Sequence, residues 1–140
     1  MELRIEDVDA AKVFLVEGPL DETAALDLQQ AILEVVEEGH HHVVIDLRRV
    51  PRVSSHALRT FLMLTRRLDS MSGRLALCAP SPDVTTALTM SGLNRLCFVT
   101  PTRDEALRRL ALDERIDRLA VLVSELLTRA ETRRQAMTLA

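Results

Sequence analysis

The pattern from which the fold class can be predicted lies in residues 42–58, HVVIDLRRVPRVSSHAL. Its first half is a compact run of β-branched and aliphatic residues that is too short for a helix, so it predicts a central strand. A polar turn follows, and two serines then precede a segment of helical periodicity. Ser54 stands where a hydroxyl caps a helix, an interaction worth about 1 kcal/mol. The stretch therefore predicts a buried strand that leads through a short turn into a helix.

The same alternation of strand and helix extends to both sides of this stretch. Further strands are predicted at residues 3–8, 11–16, 74–79 and 95–100, and helices at residues 23–39, 55–73, 81–92 and from 102 onward. The predicted N-caps are Asp21, Ser54, Ser81 and Thr102. The apolar stripes predicted to face the core are Leu26, Ile32, Leu33 and Val36 in the first helix, and Leu58, Phe61, Leu62, Thr65 and Leu68 in the second. Alternation of this kind is typical of an α/β fold whose parallel strands are joined by helical crossovers.

The composition is that of an ordinary globular domain. The 140 residues are 47% hydrophobic and 28% charged, with a formal net charge of −3. The lack of a basic excess and the absence of Trp and Tyr argue against a nucleic-acid partner. The acidic N-terminus does not resemble a signal peptide, and no apolar run is long enough to insert into a membrane. We therefore expect a cytoplasmic protein in which Cys78 and Cys97 are small buried hydrophobes.

No arrangement of residues points to catalysis. The four glycines are scattered and form no phosphate-binding loop, and no Ser–His–Asp set can be assigned by spacing. His40 and His42 would share one face of a strand, but nothing obvious supplies a third metal ligand, so a solvated loop is the better interpretation. We expect neither a metal nor a cofactor, and we expect that the protein is not an enzyme.

The C-terminal part of the chain carries a different pattern. Apolar residues recur at alternating steps of four and three, which is a heptad seam: Leu112, Ile116, Leu119, Val123, Leu126 and Ala130. We predict a domain at residues 1–111 and an amphipathic helical extension at residues 112–140. The seam has two explanations at this point, either packing on its own domain or a helix–helix contact with a second copy or another protein. In the second case Ile116, Leu119, Val123 and Leu126 would form the oligomerisation contact.

The serines at residues 54 and 55 have a second interpretation besides capping. The first turn of a helix presents free backbone N–H groups and the positive end of the helix dipole, so a phosphate added to a hydroxyl there is tolerated by the helix. Such a phosphate would still place a charge of about −2 within any contact surface. This position therefore suits a phosphorylation switch that controls binding of a protein partner.

Several segments, taken together and in order, resemble the STAS domain family of sulphate transporters and anti-sigma factor antagonists. They are VFLVEGPLDETAALDLQQAI, VVIDLRRVPRVSSHAL, LALCAPSPDVTTALTMSGLNRLCFV and TRDEAL, which lie between residues 3 and 110. The resemblance implies a small α/β domain with helices on a mixed sheet of about five strands. In the anti-sigma factor antagonist branch, it implies a protein that binds a serine kinase which otherwise holds a sigma factor. That kinase phosphorylates the antagonist on a serine or threonine at this helix start.

The family pattern after the strand is often Asp-Ser-Ser-Gly-Leu, and this chain departs from it. Counted without gaps, Ser54 falls on the Asp, Ser55 on the first Ser, His56 on the phospho-acceptor, Ala57 on the Gly and Leu58 on the Leu. A serine kinase cannot phosphorylate His56 in the ordinary way. Ser55 is the neighbouring candidate for phosphorylation, rotated by about 100° around the helix axis.

The resemblance implies a protein-interaction module that acts as a partner-switching regulator of transcription or stress signalling. The residues expected to contact the partner are Asp21, Arg52, Ser54, Ser55, His56 and Arg59, and the expected partner is a kinase-like anti-sigma factor. The alternative is a structural STAS subunit, in a multiprotein scaffold or as an accessory to the ATPase of a membrane transporter. The missing acceptor and the added heptad helix both favour that alternative. A homodimer through the C-terminal helix is compatible with either function.

Overall fold

A computed structural model describes residues 1–139 of the chain; residue 140, the last of the predicted extension, lies outside the described residues. The sheet contains β1 (Glu2–Val8), β2 (Ala11–Glu17), β3 (His42–Arg49), β4 (Arg74–Cys78) and β5 (Phe98–Thr100). The helices are α1 (Glu22–Glu37), α2 (Ser55–Asp69), α3 (Pro82–Met90) and α4 (Arg103–Leu139), and a short 3-10 helix spans Leu93–Arg95. The predicted α/β class with a five-stranded mixed sheet is confirmed.

The strands lie in the sheet in the order in which they occur along the chain. The first two form an antiparallel hairpin, and every later neighbour is parallel. Parallel strands in sequential order need helical crossovers, and crossovers of the same hand place their helices on one face. The carboxyl ends of β2, β3 and β4 therefore meet at one edge, where the loops that lead into α1, α2 and α3 begin.

Strand side chains alternate between two apolar clusters, one on each face of the sheet. In β2, for example, Phe14 and Val16 belong to the cluster under α1, α2 and α3, whereas Val13 faces the other way. On that second face, Ala106 and Leu110 at the beginning of α4 join the cluster. The central strands are consequently buried on both faces, as expected for parallel strands.

The predicted N-caps are confirmed, because each capping oxygen accepts a hydrogen bond from a backbone N–H in the first turn. Asp21 begins α1, Ser54 begins α2, and Ser81 begins α3 with Pro82 at its first position. Thr102 Oγ1 accepts from the Glu105 N–H at 3.2 Å at the start of α4. These caps depend on local chemistry alone, which explains why sequence could locate them.

Two predicted apolar stripes are partly wrong. In α1, Leu26 is 52% exposed and Leu33 is only half-buried, while Ala24, Ala25 and Leu28 are buried instead. In α2, Leu58 and Leu62 are half-buried, and the fully buried positions include Ala57 and Leu64. In both helices the buried stripe is shifted by about one position from the predicted one.

The fifth strand is shorter than predicted. Gly92 adopts a left-handed conformation at φ 79°, and the chain then forms the 3-10 helix Leu93–Arg95 before entering the sheet. Leu93 is buried and its carbonyl accepts from the Cys97 N–H at 3.1 Å. Residues 95–97 are therefore bound to this turn, and only Phe98–Thr100 pairs with β4.

The chain divides into two compact units, Met1–Leu110 and Ala111–Ala140. The first contains the sheet and both apolar clusters. The second consists of the distal part of α4, and its seam side chains, Leu112, Ile116, Leu119, Val123 and Leu126, are each more than half exposed. Both explanations of the seam, packing on the domain and contact with another helix, stay predictions.

Candidate functional site

The site is built on the start of α2, where Ser54 ends the turn after β3. Its backbone is extended, at φ −81° and ψ 168°, and its Oγ accepts a hydrogen bond from the Ala57 N–H at 3.1 Å. The Ser54 hydroxyl is thus engaged in holding the first turn of the helix. The next residue, Ser55, is the first residue of α2 and is exposed.

The loop before α1 is hydrogen-bonded to the loop before α2. The Gly18 N–H donates to the Arg49 carbonyl at 3.0 Å, and the Leu20 N–H donates to the Arg52 carbonyl at 3.0 Å. The Ser54 N–H in turn donates to the Leu20 carbonyl at 2.9 Å. Gly18 has φ 106°, a conformation that residues with a Cβ rarely adopt. These bonds extend the pairing of β2 with β3 beyond the strands, so the two loops form one rigid surface.

The pairing of these loops brings the N-termini of α1 and α2 to the same edge of the sheet. Asp21 Oδ1 accepts from the Ala24 N–H at 2.8 Å and caps α1 as Ser54 caps α2. Glu22, in the first turn of α1, lies with its Oε2 3.8 Å from the Nε2 of His56 in α2. Both side chains are substantially exposed, so this contact is available to a partner and is worth little to stability on its own.

A groove of about 320 Å³ runs between α1 and α2 directly behind the helix starts. Its lining includes Glu22, Leu26, Gln29, His56, Arg59 and Met63. Thr60 lies at the base and its hydroxyl donates to Gln29 Oε1 at 3.4 Å, which joins the two helices. A groove that combines apolar side chains such as Leu26 and Met63 with charged ones is typical of a protein-contact surface.

Most of the residues predicted to contact a partner lie on this edge. Asp21, Ser55, His56 and Arg59 surround the helix starts and the groove, and Arg52 is exposed in the adjoining turn. Ser54 lies among them, with its hydroxyl engaged as the cap. Their roles in binding stay predictions.

Sequence reasoning missed the contribution of α1 to the groove. Leu26 was assigned to the buried stripe, and Gln29 and Met63 were not considered, although the loop of residues 18–22 before α1 was expected in the contact surface. A signal was present for Leu26: counting back from the buried Ile32 by four and three gives Leu28 and Ala25, which leaves Leu26 off the core-facing positions.

A second cavity, of about 280 Å³, lies beside β1, β2 and β3 and is rich in charge. Its charged lining residues are Glu2, Arg4, Glu17, Asp46, Arg48, Arg49 and Arg103. Several of these form ion pairs, such as Arg103 with Glu6 at 2.5 Å and Arg49 with Glu17 at 3.6 Å. Because the lining contains both acidic and basic groups, this cavity does not favour one sign of ligand charge.

Across residues 1–139, no three His, Cys, Asp or Glu residues are grouped so that they could hold a metal ion. No helix in the same range is both long and apolar enough to span a bilayer.

The fold and the edge formed by the two helix starts can be compared with known proteins. The family model of the STAS domain matches residues 2–106. The chain belongs to the STAS family. The match contains the whole sheet, both helix starts and the groove, and it ends before the heptad segment of α4.

Several proteins similar to this chain are named as anti-sigma factor antagonists. BtrV of Bordetella bronchiseptica is 28% identical over 106 residues, covering 76% of this chain and 91% of its own length. An anti-sigma factor antagonist from Mycobacterium paratuberculosis is 29% identical with a TM-score of 0.72, covering 79% of this chain and 93% of its own. SpoIIAA in its unphosphorylated form is 25% identical with a TM-score of 0.69, covering 79% and 96%. The predicted family is confirmed.

Proposed function

We propose that this STAS protein is a partner-switching regulator that binds a kinase-like anti-sigma factor in the cytoplasm through its helix-start edge. The helix-start edge comprises residues 20–22, residues 52–56 and the groove between α1 and α2. The observation that carries the proposal is the set of backbone hydrogen bonds that hold the two helix starts side by side. A surface fixed before binding loses little conformational freedom when a partner docks.

The relatives support this function without identifying the partner of this chain. Both BtrV and the mycobacterial structure are named as anti-sigma factor antagonists. Structures of SpoIIAA have been determined in its unphosphorylated and phosphorylated forms. Regulation of the same edge by phosphorylation is therefore the first hypothesis to test for this protein.

The candidate acceptor in this chain is Ser55. The Ser54 hydroxyl accepts from the Ala57 N–H in the cap, whereas Ser55 is exposed at the first helical position. In the proposed step, Ser55 Oγ attacks the γ-phosphorus of ATP, the bond to ADP breaks, and the hydroxyl proton passes to a base of the kinase. The product adds a charge of about −2 to an edge that already carries Asp21 and Glu22, which makes the edge repel an acidic partner surface.

The first experiment incubates the protein with the purified anti-sigma factor kinase from its own genome and ATP, followed by mass spectrometry. We expect phosphate on Ser55, no phosphate on Ser55→Ala, and a gain of phosphate at residue 56 in His56→Ser. Binding with no phosphate transfer to any of the three proteins would contradict regulation by phosphorylation and favour the scaffold alternative.

The second experiment measures binding to the same kinase by calorimetry. Arg59→Gln should weaken binding about tenfold or more, because Arg59 lines the groove and arginine is enriched among the interface residues whose truncation costs about 2 kcal/mol or more. Arg66→Gln is the matched control, since Arg66 is an exposed arginine two turns further along the same helix. Equal affinities for both variants and the wild type would contradict the assignment of the helix-start edge.

A further inference from the structure

The distal part of α4 carries an apolar face that the family match does not include. Eight large apolar side chains between residues 112 and 127 are each 53–61% exposed. Seven of them lie on one side of the helix: Leu112, Ile116, Leu119, Leu122, Val123, Leu126 and Leu127. Val121 is the exception and points to the other side. Such a concentration of exposed leucine and valine on one helix face is characteristic of a contact surface.

The order of residue types along the seam indicates what covers it. In heptad notation, Ile116 and Val123 occupy a positions, and Leu112, Leu119 and Leu126 occupy d positions. β-branched residues at a positions, combined with leucine at d positions, favour a pair of parallel helices over higher oligomers. We propose that the distal part of α4 binds a second copy of this chain as a parallel, in-register coiled coil over residues 112–130.

The two leucines that widen the apolar face fit this arrangement. Leu122 occupies a g position and Leu127 the e position five residues later. In a parallel, in-register dimer, each g side chain lies against the e' side chain five residues further along the partner helix. Leu122 of each copy therefore packs against Leu127 of the other, so that the extra width is buried along with the seam.

An antiparallel pair explains the same residues less well. In an antiparallel pair, the a and d residues of the two helices stay opposite one another when residue 112 faces residue 130. That register places Arg115 beside Arg129 of the second copy, and Leu127 beside Asp113 of the second copy. Like charges and a leucine next to a carboxylate both oppose that arrangement. The parallel dimer has two repulsive pairs, Arg129 with Arg134 and Arg133 with Arg133 of the second copy, and both lie at the end of the seam where Arg133 replaces an apolar d residue.

The area available is sufficient for a dimer. Seven half-exposed side chains offer roughly 700 Å² per chain, close to the ~800 Å² that each partner of a standard interface buries. The apolar face therefore offers the area that a dimer of standard size needs.

The test is the mass in solution, with a matched pair of variants. Val123 and Val121 are 53% and 60% exposed, two residues apart, and lie on opposite sides of the helix. By light scattering over a dilution series, the full chain should have twice its 15.7 kDa mass. Val123→Asp should be a monomer, and Val121→Asp should remain a dimer. A monomeric wild type, a trimer or tetramer, or equal dissociation of both variants would overturn the proposal.

The orientation is tested by cross-linking. In the parallel dimer, Leu112 faces its own copy, so Leu112→Cys should form an intermolecular disulfide on oxidation. In the antiparallel register, residue 112 lies opposite residue 130 and no such bond forms. The wild type is the control, because its two cysteines are buried. A Leu112→Cys dimer that does not cross-link would overturn the parallel orientation.

Discussion

At the scale of single residues, the adjacent hydroxyls of Ser54 and Ser55 have different surroundings. Ser54 Oγ accepts from the Ala57 N–H, and loss of an N-cap hydroxyl costs about 1 kcal/mol. Ser55 is exposed, and exposed substitutions of this kind change stability by less than about 0.5 kcal/mol. We expect Ser54→Ala to lower the free energy of unfolding in urea by about 1 kcal/mol and Ser55→Ala to leave it nearly unchanged. Equal losses of unfolding free energy in the two variants would contradict the assignment of Ser54, rather than Ser55, as the helix cap.

The two cysteines provide a prediction about pH. Burial, with a smaller contribution from Asp46, raises the pKa of Cys78 to about 12, and burial raises the pKa of Cys97 to about 11. Above pH 9.0, which is the ordinary pKa of a thiol, the unfolded chain loses thiol protons that the folded chain retains. The unfolded state then binds fewer protons, so the free energy of unfolding falls as the pH rises.

The fall between pH 9 and pH 11 should be smaller in the double variant Cys78→Ala/Cys97→Ala, measured by urea unfolding at each pH. The same burial predicts that a thiol-specific disulfide reagent at pH 8 labels the native protein slowly and the denatured protein at once. Rapid labelling of the native protein would contradict the burial of both thiols.

At the scale of elements, one side of helix α1 packs in the core and another side lines the groove. Leu28 is fully buried under the helix, whereas Leu26 is 52% exposed and lines the groove. Leu28→Ala should lower the free energy of unfolding by about 2–5 kcal/mol, as large-to-small changes in cores do. Leu26→Ala should change it by less than about 0.5 kcal/mol while weakening binding to the anti-sigma factor kinase. A large loss of stability in Leu26→Ala would place that residue in the core.

The same helix shows what sequence can and cannot establish. The caps at Asp21 and Ser54 were predictable because the interaction involves residues three positions apart. The stripe predicted through Leu26 was wrong because burial depends on which side of the helix meets the sheet, and the buried Ala24 and Ala25 carry little hydrophobic signal on their own. The fifth strand was overestimated because an apolar run does not reveal that Leu93 is held in a 3-10 turn.

The helix-start edge was predictable only in part for a related reason. Ser55, His56 and Arg59 lie in one continuous segment, so their proximity follows from the chain. The hydrogen bonds between residue 20 and residues 52 and 54, and the contact of Glu22 with His56, join segments more than thirty residues apart. Such contacts depend on strand order and register, which no short pattern in this sequence encodes.

At the scale of the whole molecule, the chain combines a unit that has its own apolar core with a helix whose apolar side chains are exposed. The first unit has apolar clusters on both faces of its sheet, whereas the second has exposed leucines and valines and no core of its own. An isolated helix of that length is marginal in water, and each leucine or valine that a second copy buries contributes about 1.5–3 kcal/mol. The helicity of residues 111–139 should therefore depend on dimerisation, while the stability of the domain should not.

Circular dichroism tests this dependence. Val123→Asp should lose part of the far-ultraviolet helical signal and keep the urea midpoint of the domain, whereas Val121→Asp should keep both. Dilution of the wild type below its dissociation constant should reproduce the loss seen in Val123→Asp, because mass action removes the same contact. A monomeric Val123→Asp with full helicity would mean that the helix is stable alone. A lowered midpoint in that variant would mean that the seam packs on its own domain, since an Asp at residue 123 then disrupts contacts on which the core depends.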